Sequence, residues 1–195
     1  MLTRSQIVNR VNSIGSEGHN WTVTTYNNMK SLPRGYKLQL KDPWCAAFVT
    51  AIFYEAGVDT FAECSCSMML KKAKDAGIYI EDSNYHPKVG DIVLYDWQKV
   101  DGDPDHVGIV IEVYDGGFLV REGNKSNAVG NRTVMFNQNI IRGFITPKYT
   151  ESIDQDKMCR VMERLHAIDY AAAFENGGVD EIIEEVTKTI REGLT

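Results

Sequence analysis

A chain of 195 residues, 43% hydrophobic and 25% charged, has the composition of a folded globular protein and can bury a core without disulfides. Its formal net charge of −6 argues against a basic nucleic-acid surface, and no apolar run approaches the roughly 18–20 residues that cross a bilayer. The first residues, MLTRSQ, lack the apolar core of a signal peptide, so cytoplasmic synthesis without a Sec signal is expected. We expect no nucleic-acid partner and no membrane insertion.

In chain order, helices are predicted first and strands afterwards. Thr3 can cap a short helix that ends at Gly15, and residues 16–41, rich in Asn, Thr, Gly and Pro, are predicted to be irregular. Two further helices are predicted, one from Asp42-Pro43 to Gly57 and one through 68–73 to Gly77. The predicted strands are 89–95, 106–113, 117–122, 132–136 and 140–145. Helices followed by strands are typical of the α+β class.

The negative charge is concentrated at the C-terminal end. Residues 151–195 contain 11 acidic and five basic side chains, whereas the first 150 residues contain 16 of each. This change follows Pro147 and predicts a main domain over 1–149 and an acidic appendage over 150–195. The appendage shows two amphipathic helical patterns, separated by residues 176–178. Because short isolated helices are marginal in water, their apolar stripes must pack on something, and self-association is one possibility.

Cys45 is the first candidate for chemistry. Asp is a preferred helix cap and Pro a preferred first helical residue, so Asp42-Pro43 predicts that a helix starts just before this cysteine. In the first turn, the helix N-terminus favours the thiolate, and its free N–H groups can receive an oxyanion. A buried structural cysteine is the alternative, since Ala and Phe follow it.

A nucleophilic cysteine needs a base, and His106 is the best candidate. It begins a predicted strand, and the next strand ends in Glu122-Gly123-Asn124, which offers an acid or an amide to orient the imidazole. Cys, then His, then an acid or amide is the papain-like order. A histidine at a strand start is otherwise an ordinary half-exposed polar residue.

The strand register decides whether these side chains share a face. His106 can meet Glu122 and Asn124 only if the numbers of paired residues sum to an even value, and a two-residue turn at 115–116 gives an odd one. We therefore predict a three-residue loop or a compensating bulge. The three-residue loop would pair Tyr114 with Phe118, Gly108 with Asn124 and Val110 with Glu122.

Four segments, PWCAAFV (43–49), GDIV (90–93), DHVGIV (105–110) and EGN (122–124), together resemble CHAP domains. These are cysteine- and histidine-dependent amidohydrolases/peptidases, relatives of the NlpC/P60 enzymes within the papain-like fold. The resemblance covers about residues 3–149. It implies N-terminal helices packed on an antiparallel β-sheet, with Cys45 as nucleophile, His106 as base, and Glu122 and Asn124 as third and fourth members of the site.

The resemblance also implies a substrate: an amide bond of bacterial peptidoglycan, cut by an N-acetylmuramoyl-L-alanine amidase or an endopeptidase, as in phage or prophage lysins. Such an enzyme would act at the cell wall, after holin release or from a particle, and needs no cofactor. An NlpC/P60-type endopeptidase, another Cys-His amidase or transferase, and a non-catalytic wall-binding or virion structural module are the alternatives.

No metal is expected. Residues 36–41 carry no acidic cluster of the kind that binds calcium in some CHAP lysins, and Cys64-Ser65-Cys66 lacks zinc-site spacing. Asp101, Asp103 and Asp105 are interpreted as a solvated turn, and Cys64 and Cys66 as packing or surface thiols near a helix start. Trp44, Tyr95 and Trp97 either belong to the core or line a substrate groove, and His19, His86 and His166 carry no further signal.

Overall fold

The chain forms two units, one over residues 1–150 and one over 151–195. The computed structural model describes residues 2–82, 84–99, 101–150, 165, 168 and 170–194. In the first unit its helices are Arg4–Asn12 (α1), Gly18–Asn27 (α2), Cys45–Glu55 (α3) and Cys66–Asp75 (α4), with a 3₁₀ turn at Pro33–Gly35. The strands are Tyr79–Ile80 (β1), Ile92–Tyr95 (β2), His106–Tyr114 (β3), Gly117–Lys125 (β4), Ala128–Met135 (β5) and Ile141–Ile145 (β6).

All described strands form one antiparallel sheet in the order β1-β6-β2-β3-β4-β5. One face carries Ile92, Leu94, Val107 and Ile109, which pack with the helices in one hydrophobic core. The opposite face carries a second core cluster, comprising Val93, Tyr95, Val110, Phe118, Val120, Val134 and Phe144. The predicted α+β class, with N-terminal helices on an antiparallel sheet, is confirmed. The short strand β1 was not predicted.

The N-terminal helix follows its sequence signals. Thr3 accepts a hydrogen bond from the backbone N–H of Gln6, and the Gln6 side chain accepts one from the backbone N–H of Thr3. This reciprocal capping satisfies two N–H groups that the helix itself leaves unpaired. Ile7 and Val11 of this helix are fully buried in the core.

The prediction that residues 16–41 are irregular is wrong, because α2 and the 3₁₀ turn lie there. No side chain caps α2 at Glu17, so the usual start signal is absent. Tertiary packing stabilises the helix instead: Thr22 and Tyr26 are buried, and Thr22 Oγ1 donates to the carbonyl of Gly18 at 2.8 Å. A Cβ on Gly18 would lie 2.6 Å from Ile14 and 2.7 Å from Val129. Packing here overrides a weak local propensity.

The start of α3 also differs from the prediction. Asp42 is not its cap, because the Asp42 carboxylate accepts hydrogen bonds from the backbone N–H of Gln39 and from Tyr36 Oη, both at 2.8 Å. Trp44 is the capping residue and makes no side-chain cap bond. The helix begins at Cys45, so this cysteine lies in the first turn as predicted, but Asp42 and Pro43 precede the helix instead of starting it.

A β-bulge sets the register between β3 and β4. The turn is two residues long and pairs Tyr114 with Gly117, so the three-residue loop and its pairs were wrong. The predicted alternative, a compensating bulge, is present: Ile111 is an extra residue in β3. On the side of the bulge away from the turn, the numbers of paired residues therefore sum to an even value. Val110 lies opposite Val120, and Ile109 lies opposite Arg121. The same register places Gly108 opposite Glu122. His106, two residues before Gly108, therefore lies on the same face of the sheet as Glu122.

In the second unit, helix α5 runs over Tyr170–Leu194. Its backbone is interrupted at Gly178, which has φ 67° and ψ −146°. The break falls in the predicted 176–178 segment, at a residue type that tolerates positive φ. Residues 158–164, in the first predicted tail helix, lie outside the described residues.

Candidate active site

Cys45 lies at the N-terminus of a helix that is buried from Cys45 to Phe53. The side chain is 6% exposed and opens on a cleft of about 400 Å³. Arg34, Asp42, Cys66 and Asp105 also line this cleft. A thiol at a helix N-terminus next to unpaired backbone N–H groups can be a nucleophile with an oxyanion site beside it.

His106 is the first residue of β3 and lies against a fully buried carboxylate. Its Nε2 is 3.2 Å from Glu122 Oε2, an ion-pair distance, although the geometry is not that of a hydrogen bond. Because Nε2 faces Glu122, Nδ1 is the ring nitrogen that can interact with the Cys45 thiol. The other carboxylate oxygen of Glu122, Oε1, accepts a hydrogen bond of 2.7 Å from Arg132 Nε.

The charges of these groups shift one another's pKa values. Contact with the Cys66 thiol, the neighbouring His106 and the backbone N–H of Ala46 together lower the pKa of Cys45 well below its usual range, although burial opposes this. Burial lowers the pKa of His106, but Cys45 and Glu122 outweigh it and raise that pKa to about 9. A thiolate–imidazolium pair is therefore favoured at neutral pH.

Two aromatic rings cover the imidazole. The ring of Trp97 stacks on His106 with centroids 5.1 Å apart, and Tyr95 stacks on it at 5.9 Å. The Arg132 guanidinium lies 5.1 Å from the Trp97 ring and 5.7 Å from the Tyr95 ring. Tyr95 is buried in the core, whereas Trp97 is 41% exposed. Trp97 thus shields the base from water on one side.

Sequence reasoning missed Arg132 and Cys66. Arg132 lies on β5 opposite Val120, a position that only the strand pairing reveals. Cys66 was grouped with Cys64 as a packing or surface thiol, yet its Sγ lies 3.7 Å from Cys45 Sγ. The predicted helix start near Cys66 is confirmed, with Ser65 as the cap of α4, but no sequence signal showed that this helix end lies beside Cys45.

Asn124, the fourth predicted member, is less closely connected. It lies near the end of β4 with a left-handed φ of 57° and is half-buried. Among the described residues, no hydrogen bond or ion pair joins its side chain to His106. The structure therefore brings Cys45, His106 and Glu122 together, and places Asn124 two residues beyond Glu122 on the same strand.

Several of the other residues considered above have structural partners, whereas His166 lies outside the described residues. Asp105 accepts hydrogen bonds from the backbone N–H groups of Trp97 and Gln98 and so holds the loop before His106. His19 stacks on Trp44 at 4.7 Å, and Trp44 is buried. Within the described ranges, no group of three or more His, Cys, Asp or Glu side chains could hold a metal ion.

The chain is similar to known proteins over part of its length. No curated protein matches the chain. Among solved structures, "The crystal structure of Ly7917 with the hydrolyzing product of MDP" matches with 15% identity and a TM-score of 0.46, covering 74% of this chain and 63% of that one. The chain thus spans less than two thirds of that protein. Among protein families, the CHAP domain matches residues 33–124, a range that includes Cys45, His106, Glu122 and Asn124. Over residues 33–124, this chain is therefore similar to CHAP domains.

Proposed function

We propose that this chain is a peptidoglycan hydrolase that cuts an amide bond, as an N-acetylmuramoyl-L-alanine amidase or as an endopeptidase. One observation carries the proposal: Cys45, at a helix N-terminus on an open cleft, is paired with a histidine backed by the buried carboxylate of Glu122. The CHAP domain, whose members are cysteine- and histidine-dependent amidohydrolases and peptidases, supports the same chemistry.

In the acylation step, the Cys45 thiolate attacks the carbonyl carbon of the scissile amide. The backbone N–H of Cys45 holds the oxyanion that forms, because the helix leaves this group unpaired. The His106 imidazolium then gives its proton to the leaving nitrogen, the C–N bond breaks and an amine departs. The product is a thioester between Cys45 and the acyl fragment.

Deacylation uses the same groups in reverse order. Neutral His106 takes a proton from water, and the resulting hydroxide attacks the thioester. The carboxylic acid product leaves and the thiolate–imidazolium pair is restored. Glu122 stabilises the imidazolium, and Arg132 balances the buried charge of Glu122. Asn124 remains the proposed fourth member of the site. The cycle uses no cofactor.

The site of action in this proposal is the bacterial cell wall, where peptidoglycan is found. More specifically, we propose that the chain acts in lysis, as an endolysin of phage or prophage type. Over the described residues, no helix is long and apolar enough to span a membrane.

The test is hydrolysis of purified cell walls, followed by turbidity and by mass spectrometry of the fragments. The wild type and Cys64→Ala, a matched control at a neighbouring cysteine, should clear the walls. Cys45→Ala should lose activity by about 10³-fold or more while folding normally. Fragment masses distinguish cleavage next to muramic acid from cleavage within the peptide. A wild type that binds walls without releasing fragments would be a binding module, and the proposal would fail.

Alkylation tests the nucleophile separately. Iodoacetamide should inactivate the wild type by modifying Cys45, because the thiolate is the reactive form. Inactivation that follows modification of Cys64 instead would show that the nucleophile is misassigned.

A further inference from the structure

We propose that Cys66 is a positioning residue for the nucleophile: its thiol donates a hydrogen bond to Cys45 Sγ and holds that sulfur as a thiolate directed into the cleft. This inference rests on the proposed function, because the proposed function assigns Cys45 as the nucleophile. Cys66 does not contact the reacting carbonyl; it acts through Cys45.

The geometry brings the two sulfurs into contact across the fold. Cys45 and Cys66 are 21 residues apart in the chain, and their Sγ atoms are 3.7 Å apart. Each is the first residue of its helix, α3 and α4. Both are nearly buried, at 6% and 8% exposure, and both line the same cleft.

Two anchors hold Cys66 in place. Thr50 of α3 donates from Oγ1 to the carbonyl of Glu63 at 2.7 Å and accepts from the Glu63 backbone N–H at 2.9 Å. Ser65 caps α4 by accepting from the backbone N–H of Met68. The segment that carries Cys66 is thus tied to the helix that carries Cys45, so the sulfur contact does not depend on a loose loop.

The charges around the pair decide which thiol keeps its proton. His106 and the backbone N–H of Ala46 stabilise negative charge on Cys45. Cys66 has the opposite environment, since contact with Cys45, burial and the carboxylate of Asp105 all raise its pKa. Cys66 therefore stays protonated and is the donor, while Cys45 is the acceptor.

The other charged groups on the cleft do not change this assignment. Arg34 is hydrogen-bonded to the buried Glu63, and Asp42 is held by Tyr36 and the Gln39 backbone. Behind His106 lie Glu122 and Arg132, which form their own ion pair. A neutral donor such as a thiol stabilises the Cys45 thiolate without competing with His106 for a proton.

The experiment measures the ionisation of Cys45 directly in the full-length protein. In a Cys64→Ala, Cys159→Ala background, the rate of iodoacetamide labelling at Cys45 is followed by mass spectrometry against pH under anaerobic conditions. Cys66→Ala removes the donor, and Cys66→Ser keeps one. We expect Cys66→Ala to raise the midpoint for Cys45 labelling by about one pH unit or more. Cys66→Ser should remain closer to the parent.

Two results would overturn the proposal: an unchanged midpoint in Cys66→Ala, or an equal rise in Cys66→Ala and Cys66→Ser, which would indicate packing alone. If Cys66→Ala does not fold, Cys66→Val fills the space without a donor and takes its place. Labelling needs no peptidoglycan, so a chain that hydrolyses no wall but shows the shift would contradict the proposed function while still supporting the hydrogen bond from Cys66 to Cys45.

Discussion

His106 lies between the sulfur of Cys45 and the carboxylate of Glu122, and both raise its pKa. Glu122 is fully buried, and its pKa is lowered by His106 and Arg132 against the effect of burial. An uncompensated buried carboxylate would be costly, so Arg132 is needed for Glu122 to remain ionised. The positive charge on His106 in turn stabilises the thiolate of Cys45. The reactivity of one cysteine thus depends on a chain of charges that spans one helix and three strands.

The activity should follow a bell-shaped pH profile. As pH rises, kcat/KM should increase while Cys45 loses its proton, at a pH below the usual thiol range because its pKa is lowered. Activity should fall again near pH 9, where His106, with a pKa of about 9, loses the proton that the leaving nitrogen needs. Initial rates of wall clearance across this range provide the measurement. Activity that keeps rising well above pH 10 would contradict the assignment of His106.

Glu122→Gln should move the alkaline limb of that profile to lower pH. The substitution keeps the shape of the side chain but removes the negative charge that favours the imidazolium, so the pKa of His106 falls below about 9. The rate at neutral pH should drop by about 10²-fold or more. Glu81→Gln, which alters an exposed ion pair with Arg142 and Lys74, is the control. An unshifted alkaline limb in Glu122→Gln would show that Glu122 does not support His106.

Strands β3 and β4 position the base and its carboxylate, and they do so through the bulge at Ile111 and the absence of a side chain at Gly108. Beyond the bulge, His106 lies on the face that carries Val120 and Glu122. A Cβ at Gly108 would overlap Val120 Cγ1 and lie 2.8 Å from Glu122 Cγ. Glycine is therefore required here for close packing rather than for an unusual backbone angle.

Gly108→Ala should destabilise the fold by about 1–3 kcal/mol, because the added methyl group overpacks a buried site. It should also lower activity, since Glu122 must move to make room. Gly116→Ala is the matched control, as its Cβ would meet only the flexible end of Met135 at 3.1 Å. Thermal unfolding and wall clearance are the measurements. A Gly108→Ala protein with wild-type stability and rate would refute this account of the strand pair.

Helix α5 presents apolar side chains to solvent. Val179 is 61% exposed and Ile183 is 56% exposed, four residues apart on one helical face, and Ile190 lies on the same face. The helix must gain stability from packing because local propensity alone is marginal. We expect the chain to self-associate through this face.

Sedimentation should therefore give the full-length chain a mass above that of one copy, and Val179→Asp with Ile183→Asp should reduce it. Lys188→Asp, which changes the net charge equally on the opposite helix face, should leave the mass unchanged. Hydrolysis should be similar in all three proteins. A wild type that sediments as a single copy would rule out self-association.

For the molecule as a whole, the charge distribution separates the first 150 residues from the acidic C-terminal residues. The first 150 residues are formally neutral, and the last 45 carry all of the net negative charge. Anionic wall polymers would repel such a segment, so wall recognition by the whole chain cannot be a simple charge attraction. The buried charge of Glu122, in contrast, is balanced within the first unit by Arg132 and His106.

Excess EDTA should leave wall hydrolysis unchanged. The proposed steps use only the thiolate, the imidazole and backbone N–H groups, and the described part of the chain contains no group of His, Cys, Asp or Glu suited to a metal ion. Clearance rates with and without EDTA, with readdition of calcium as control, provide the measurement. Loss of activity in EDTA that calcium restores would show a metal requirement.

The sequence by itself determined the local features. Thr3 predicted the cap of α1, the CHAP-like motifs around Cys45 and His106 indicated a nucleophile and a base, and the parity of the strand pairing required a bulge or a longer loop between β3 and β4. The cap and the bulge are confirmed because each depends on residues that are neighbours in the chain or across one hairpin, where periodicity and turn length restrict the backbone. The roles of Cys45 and His106 remain proposals.

Only the tertiary structure decided which distant side chains meet. Helix α2 forms because Thr22 and Tyr26 are buried, although its start signal is absent. Arg132 reaches Glu122 through the pairing of β4 with β5, and Cys66 reaches Cys45 because α4 is anchored beside α3. Such contacts depend on packing and on the summed register of several strands. A one-residue bulge reverses which face a side chain occupies, so no local pattern can determine them.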